Sequence, residues 1–353
     1  MHIPDGYLGP QTYIPFYGAM LPIWYWASRT LKKTLNARQV PFLALGAAFS
    51  FVIMMFNIPV PGGSTGHAVG GTLIAIILGP WAALMAVSMA LIIQALLFGD
   101  GGITAIGANC FNIAFVMPFS GYYIYRFLSF NSGTNISRRV FAAGVAGYVS
   151  LNLAAFFTAV EFGIQPLIAH KPDGTPLYAP YPLNIAVLIM AFEHLVFFGF
   201  VEALVTGLVV GYIARTEPIM LNIPLGTSRF RQPASSFSQT QSDSPWAKKT
   251  VRNLWIGLGI LILLTPLGLI AAGTAWGEWG TEELMEILGF VPDGLKRLVN
   301  IWHSLLPDYS IPGAEGPIMS ALGYIFSAIV GTVLIILPAF FISRLISDRR
   351  KTQ

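Results

Sequence analysis

The stretch Leu183-Asn-Ile-Ala-Val-Leu-Ile-Met-Ala-Phe-Glu-His-Leu-Val-Phe-Phe-Gly-Phe-Val-Glu-Ala-Leu-Val-Thr-Gly-Leu-Val-Val-Gly-Tyr-Ile213 decides the fold class. Within it only Glu193, His194 and Glu202 carry acidic or imidazole groups, and the run exceeds the roughly 20 apolar residues that take an α-helix across a bilayer. Working outward, further apolar segments lie near 12–31, 41–57, 67–80, 81–98, 109–128, 138–162, 252–272 and 318–346. Segment 67–80 is short for a crossing and reads as tilted, re-entrant or fused with its successor. The whole chain of 353 residues is 55% hydrophobic and only 10% charged; a soluble domain carries about a quarter charged residues. Mean hydropathy is +0.66. The expected fold is therefore all-α: a polytopic membrane helical bundle of about seven spans followed by a two-span module, with lipid as its solvent. Spacings such as Gly207-Leu-Val-Val-Gly211 and Ala143-Gly-Val-Ala-Gly147 suit close helix packing.

The charges set the orientation. Loops on the cytoplasmic side carry an excess of Lys and Arg. With the N-terminus outside and the helices alternating, Lys171, Lys296 and Arg297 fall outside and the other 17 of 20 basic residues fall inside. The C-terminus is then inside as well. Of the 16 acids, 11 lie outside; they either concentrate cations at the outer face or are what remains once bases are held within. The basic residues border the membrane and form no nucleic-acid stripe.

A polar stretch centred on Gln232-Pro-Ala-Ser-Ser-Phe-Ser-Gln-Thr-Gln-Ser-Asp-Ser-Pro245 reads by composition as a cytoplasmic linker over 216–250. It separates a membrane domain, 1–215, from a two-helix module, 251–353, whose external loop spans 273–317. The opening Met1-His-Ile-Pro-Asp-Gly6 has neither the basic region nor the apolar core of a signal peptide. The chain is expected to begin there in its working form. Cys110 is the sole cysteine, so no internal disulfide forms.

Of five histidines, His2 and His67 fall on the same outer side. Histidine next to a free amino terminus offers three nitrogens in sequence: the Met1 amine, the His2 amide once a metal displaces its proton, and His2 Nδ1. Amine to amide closes a five-membered chelate ring, and amide to Nδ1 a six-membered one. The three lie near one plane and leave a fourth position for another imidazole. Square-planar nitrogen donation suits Ni(II) and Cu(II), and the need for deprotonated ligands predicts weaker binding in acid. His67 sits in Pro59-Val-Pro-Gly-Gly-Ser-Thr-Gly-His-Ala-Val-Gly-Gly71, a glycine-rich stretch of the kind tolerated at membrane depth where it lines a cavity.

Thr65, Asp100 and Asn109 are candidates to orient an imidazole, with loop or helix capping as their other role. Glu193, His194 and Glu202 either pair with another span or meet a coupling subunit, and are left outside the expected metal set. His170 and His303 read as solvated loop residues. The sequence lacks a Gly-x-x-x-x-Gly-Lys-Ser/Thr phosphate loop and a His-Glu-x-x-His zinc motif, so neither nucleotide hydrolysis nor a membrane zinc protease is expected. Two rival readings are a metal-dependent membrane enzyme and a stand-alone cation carrier. The first needs a general base, for which only Asp5 and Asp100 offer themselves; the second predicts ionisable residues deep in several spans or inverted repeats.

Met1-His-Ile-Pro-Asp-Gly6, Gly62-Gly-Ser-Thr-Gly-His-Ala-Val-Gly-Gly71, Gly99-Asp-Gly-Gly-Ile-Thr-Ala-Ile-Gly-Ala-Asn109 and Asn112 resemble the substrate-specific (S) component of energy-coupling-factor nickel/cobalt transporters, the CbiM/NikM family. The resemblance covers about 1–215. It implies seven helices with an extracytoplasmic N-terminal segment inserted into a central pocket. The implied ligands of transported Ni(II) or Co(II) are the Met1 amine, the His2 amide and imidazole, and the His67 imidazole. The implied partners are cytoplasmic ATPase subunits and a transmembrane coupling (T) subunit, in the inner or plasma membrane of a prokaryote. Thr265-Pro-Leu-Gly-Leu-Ile-Ala-Ala-Gly-Thr-Ala-Trp-Gly-Glu-Trp279 and Val291-Pro-Asp-Gly-Leu295 are similar to the NikN/CbiN-type small partner. That fusion resembles nickel-type arrangements more than cobalt-type ones.

Overall fold

The computed structural model describes residues 1–34, 39–130, 132, 135–221, 245–271, 273–313 and 316–351. Most of the stretch expected from sequence to be a linker, 222–244, lies outside the described residues, as do Arg38, Arg229, Arg231 and Glu315.

Helix dominates, because a backbone in lipid must satisfy its own hydrogen bonds. The order is α1 (Pro10–Thr34), α2 (Val40–Met54), α3 (Gly71–Leu78), α4 (Pro80–Ile93), α5 (Ile106–Asn109), α6 (Met117–Leu128), α7 (Ile136–Gly163), α8 (Gln165–Ile168), α9 (Leu183–Glu193), α10 (Gly199–Thr216), α11 (Pro245–Leu264), α12 (Thr281–Leu288), α13 (Asp293–Leu298) and α14 (Pro317–Lys351). Wide π-type turns at Gln94–Phe98, Cys110–Val116 and His194–Phe198 extend α4, join α5 to α6, and join α9 to α10. Such turns shift the helix face they interrupt and recur at functional sites. A two-stranded ribbon, β1 (Ile58–Pro59) and β2 (Thr65–Gly66), pairs Ile58 with Gly66.

Among the described residues, five segments are long and apolar enough to cross a membrane: Pro80–Phe98, Ile136–Ile168, Leu183–Thr216, Val251–Ile270 and Pro317–Pro338. The other four expected spans take different forms. Segment 12–31 is α1, which carries Pro15 and Pro22 internally and ends on Lys32 and Lys33. Segment 41–57 shortens to α2, and 109–128 is divided by its π-type turn. Segment 67–80 contracts to the eight residues of α3, about 12 Å at 1.5 Å per residue. Its end is fixed by Gly79 at φ 88°, where the chain turns into Pro80 and α4 packs back along α3. The chain is a polytopic helical membrane protein.

The small-residue spacings meet one another. On α10, a Cβ at Gly207 would touch the Val140 carbonyl (3.5 Å) and the Gly144 backbone (3.8 Å); on α7, one at Gly147 would touch Thr206 and the Glu202 carbonyl. Without side chains at these glycines the two backbones approach closely. Leu188, Phe192, Phe200, Leu204 and Leu208 are exposed on the outer side of α9 and α10, where lipid takes the place of water.

The C-terminal module shares this core. Its α14 packs on α2, with Gly331 against the Phe51 ring, and Leu258, Tyr309, Tyr324 and Ala328 are buried with Phe51 and Phe98. Backbone bonds from Leu306 to Leu97 (2.8 Å) and from Leu295 to Leu177 (3.2 Å) tie the module's loop to the rest. The N-terminal segment and the loops around 55–70, 99–105, 164–182 and 273–309 thus gather at one end of the bundle.

Candidate functional site

The first five residues are threaded into that end of the bundle. His2 is 1% exposed and Ile3 0%. A chain terminus is ordinarily loose unless something ties it down, and here the ties are specific. Asn109 brackets Ile3: its Oδ1 accepts the Ile3 N–H at 2.8 Å and its Nδ2 donates to the Ile3 carbonyl at 3.1 Å. The Ile3 carbonyl also accepts from Gly102 N–H at 2.8 Å. Asp5 caps the following turn, its carboxylate accepting Ile103 N–H (3.0 Å) and Thr104 N–H (2.7 Å). Farther on, Gly9 N–H donates to Gln165 and the Tyr7 hydroxyl to the Trp279 carbonyl (2.7 Å). Gly102 permits the approach, since a Cβ there would lie 2.3 Å from the Asp5 nitrogen.

This threading places His2 beside His67, with ring centroids 5.1 Å apart and planes at 66°. His2 Nδ1 pairs with one oxygen of Asp100, and His2 Nε2 is buried with no hydrogen-bond partner among the described residues. The other Asp100 oxygen accepts from the Tyr309 hydroxyl and from Gln94 Nε2 (3.1 Å). Burial raises the Asp100 carboxyl, but the charge of His2 and the hydrogen bonds from His2 and Tyr309 outweigh it and hold the group below the usual carboxylate range. The Met1 amine forms an ion pair with Glu278 at 2.9 Å. His67 Nδ1 lies 3.1 Å from the Ala68 carbonyl. If that nitrogen carries the ring proton, Nε2 is the free donor atom.

Of the residues expected from sequence, Met1, His2, His67 and Asp100 come together. Thr65 is buried in β2 and lines the same pocket as Met1 and His67. Asn109 is adjacent, but its side-chain amide is engaged with the backbone of Ile3 on both its oxygen and its nitrogen, so it orients that backbone. His170 and His303 are exposed, away from this end's interior. Among the described residues no set of three or more His, Cys, Asp or Glu side chains is placed to hold a metal. The expected donor set has two imidazoles, completed by an amine and a backbone amide.

The structure also brings to the site residues that lie outside the expected metal set. Glu193 and His194 line the pocket with Met1, Thr65 and His67, and Trp276 closes it from the module. Glu278 and Tyr309 also come from the module's loop. The Trp-Gly-Glu-Trp run at 276–279 was visible as a motif, but nothing local ties it to residue 1. On the rim, the exposed Lys171–Asp293 pair (2.6 Å) draws the lysine up and the carboxyl down through their hydrogen bond and, after it, their opposite charges.

Comparison with known proteins gives two family matches. Residues 2–220 match the CbiM family, described as cobalt uptake substrate-specific transmembrane region, and residues 252–348 match the PDGLE domain. Similar proteins include the fused nickel transport protein NikMN of Rhodobacter capsulatus, 44% identical over 95% of both chains. The probable fused nickel transport protein LarMN of Lactiplantibacillus plantarum is 40% identical over 96% of both. A crystal structure titled as a truncated transition metal transporter has 52% sequence identity and a TM-score of 0.57, covering 61% of this chain and 99% of that one. With most of its length matched in this way, the chain belongs to the CbiM family of substrate-specific transmembrane regions, continued by a PDGLE domain.

Proposed function

We propose that this chain is the substrate-capturing membrane component of an ATP-driven uptake transporter of the energy-coupling-factor type. Its cargo is Ni(II), with Co(II) as the alternative, taken from the outer side of a prokaryotic inner or plasma membrane. Cytoplasmic ATPase subunits and a transmembrane coupling (T) subunit supply the energy. The observation that carries the reading is the burial of His2 beside His67, at 5.1 Å between rings, with Met1 lining the same pocket as His67. The similarity to proteins named as fused nickel transport proteins supports nickel first.

In this reading the cation takes the Met1 amine, the His2 amide, His2 Nδ1 and a His67 ring nitrogen. Two of these donors already have acidic partners, Glu278 for the amine and Asp100 for Nδ1. Capture then exchanges partners: each nitrogen turns from a carboxylate to the metal, and the carboxylates stay nearby to balance the dication. The protons displaced make binding weaker in acid.

The experiment is an isothermal titration of Ni(II) into purified native chain and into a chain lengthened by one Gly ahead of Met1. The extension moves the amine out of the chelate and leaves every side chain in place. Tight binding that collapses on extension supports the reading, and Co(II) in the same assay ranks the metals. Equal binding by both chains overturns it.

A further inference from the structure

Glu202 is a carboxylate on α10 that is 0% exposed. Among the described residues its hydrogen-bond partners include no cationic side chain, so other groups must replace the water it gave up. That replacement comes from the loop that carries His67. Glu202 Oε2 accepts the N–H of Val69 at 2.8 Å and of Gly70 at 3.1 Å, while Oε1 accepts the Thr206 hydroxyl at 3.2 Å. Gly70, at φ +73°, makes the turn that brings both N–H groups to the same oxygen. From the other side, the Ser50 hydroxyl of α2 donates to the Val69 carbonyl at 2.8 Å.

Phe198 stands one helical turn before Glu202 and sits over Gly66, where a Cβ would lie 2.5 Å from its ring. The same helix face therefore grips the chain on both sides of His67: Gly66 before it, Val69 and Gly70 after it. This matters because the His67 ring has little to hold it. His2 is oriented by the Asp100 carboxylate, whereas among the described residues the His67 ring bonds to the carbonyl of its own neighbour Ala68 and otherwise meets the edge of the His2 ring. The position of His67 is set by its backbone, and its backbone is set from α10.

We propose that Glu202 is the positioning residue for His67: it fixes the 67–70 turn so that the imidazole faces His2. The inference rests on the metal-site reading given above.

A double-mutant cycle in the full-length detergent-solubilised protein tests it, with Ni(II) as the probe. Glu202→Leu and Glu202→Gln are each made alone and together with His67→Ala, and Ni(II) affinity and the ligand-field absorption of the bound ion are read. Outer partners of a ligand typically govern metal affinity by 10- to 100-fold. Glu202→Leu is expected to weaken Ni(II) by at least about tenfold and to move the absorption band to that of His67→Ala. In the His67→Ala background the same change is expected to cost nothing more, because residues acting through one group are not additive. Glu202→Gln, which keeps one acceptor for the backbone N–H groups, recovers part of the affinity. Wild-type affinity with an unshifted band in Glu202→Leu overturns the proposal, and so does a loss that adds in full to that of His67→Ala. If the leucine variant does not fold, the glutamine variant decides by the same additivity criterion. Should His67→Ala itself bind like wild type, the metal-site reading falls. The His67 ring resonance of the metal-free protein then still decides the positioning, by shifting or not in the Glu202 variants.

Discussion

Tyr309 and His2 hold opposite oxygens of one carboxylate: the Tyr309 hydroxyl bonds Asp100 Oδ2, and His2 Nδ1 meets Asp100 Oδ1. Through Asp100, a residue of the C-terminal module bears on the second residue of the chain. Removing the tyrosine hydroxyl leaves Asp100 Oδ2 to Gln94, while Oδ1 keeps its contact with His2; the carboxylate that orients the His2 ring is held less firmly. Tyr309→Phe is therefore expected to weaken Ni(II) binding by about tenfold, at the low end for an outer partner. The ring itself remains packed on Phe98 at 4.8 Å, so thermal stability should move little. Titration calorimetry and a melting curve on the same sample check both halves.

Glu278 meets the Met1 amine and is part-exposed, so its influence is electrostatic and graded. A dication approaching the amine is favoured by a carboxylate there, indifferent to an amide and opposed by an ammonium. Affinity is expected to fall in the order wild type, Glu278→Gln, Glu278→Lys, and the spread should narrow as salt screens the charges. Stopped-flow binding at two ionic strengths reads this directly. An order that does not follow charge removes Glu278 from the site's electrostatics.

Much of this architecture was legible in the sequence. Runs such as 183–213 have no other stable home than lipid, and the segregation of Lys and Arg predicts which loops share an end. Once His2 and His67 are assigned to one end, their meeting needs only that the terminus fold inward. What was not legible is long-range or conformational. The break at Gly79 is a backbone event in an apolar run, and hydropathy alone cannot tell such a run from a continuing helix. The π-type turns change which face of a helix looks inward, and Glu193, His194 and Glu202 were ambiguous for that reason. Glu278 and Tyr309 lie more than 200 residues from the groups they touch. Nothing local in a loop announces such a partner.

Gly102 tests the threading itself. A Cβ at this position would stand 2.3 Å from the Asp5 nitrogen and 2.6 Å from the Pro4 carbonyl carbon, both backbone atoms that cannot yield by changing rotamer. Gly102→Ala should push the N-terminal segment outward and break the bond from Gly102 N–H to the Ile3 carbonyl. The expected result is a loss of Ni(II) affinity beyond about tenfold, of the size seen when groups supporting a metal site are lost. The rest of the bundle should remain folded. Limited aminopeptidase digestion offers a second measure, since a displaced terminus is cleaved faster than a buried one.

Packing of α7 on α10 gives a last prediction, because α10 carries both Phe198's neighbour turn and Glu202. A Cβ at Gly147 would lie 3.1 Å from Thr206 Oγ1 and 3.2 Å from the Glu202 carbonyl, tighter than ordinary contact. Gly147→Ala requires a shift of a few tenths of an ångström, whereas Gly147→Leu cannot be housed without separating the helices. Overpacking of this kind costs about 1–3 kcal/mol. The leucine variant is expected to melt several degrees lower in detergent and to bind Ni(II) more weakly, with the alanine variant between it and wild type in both. The two effects should track each other, since moving α10 moves the Glu202 carboxylate that holds the 67–70 turn. A leucine variant that melts lower yet binds Ni(II) like wild type would show that the His67 loop keeps its place independently of α10.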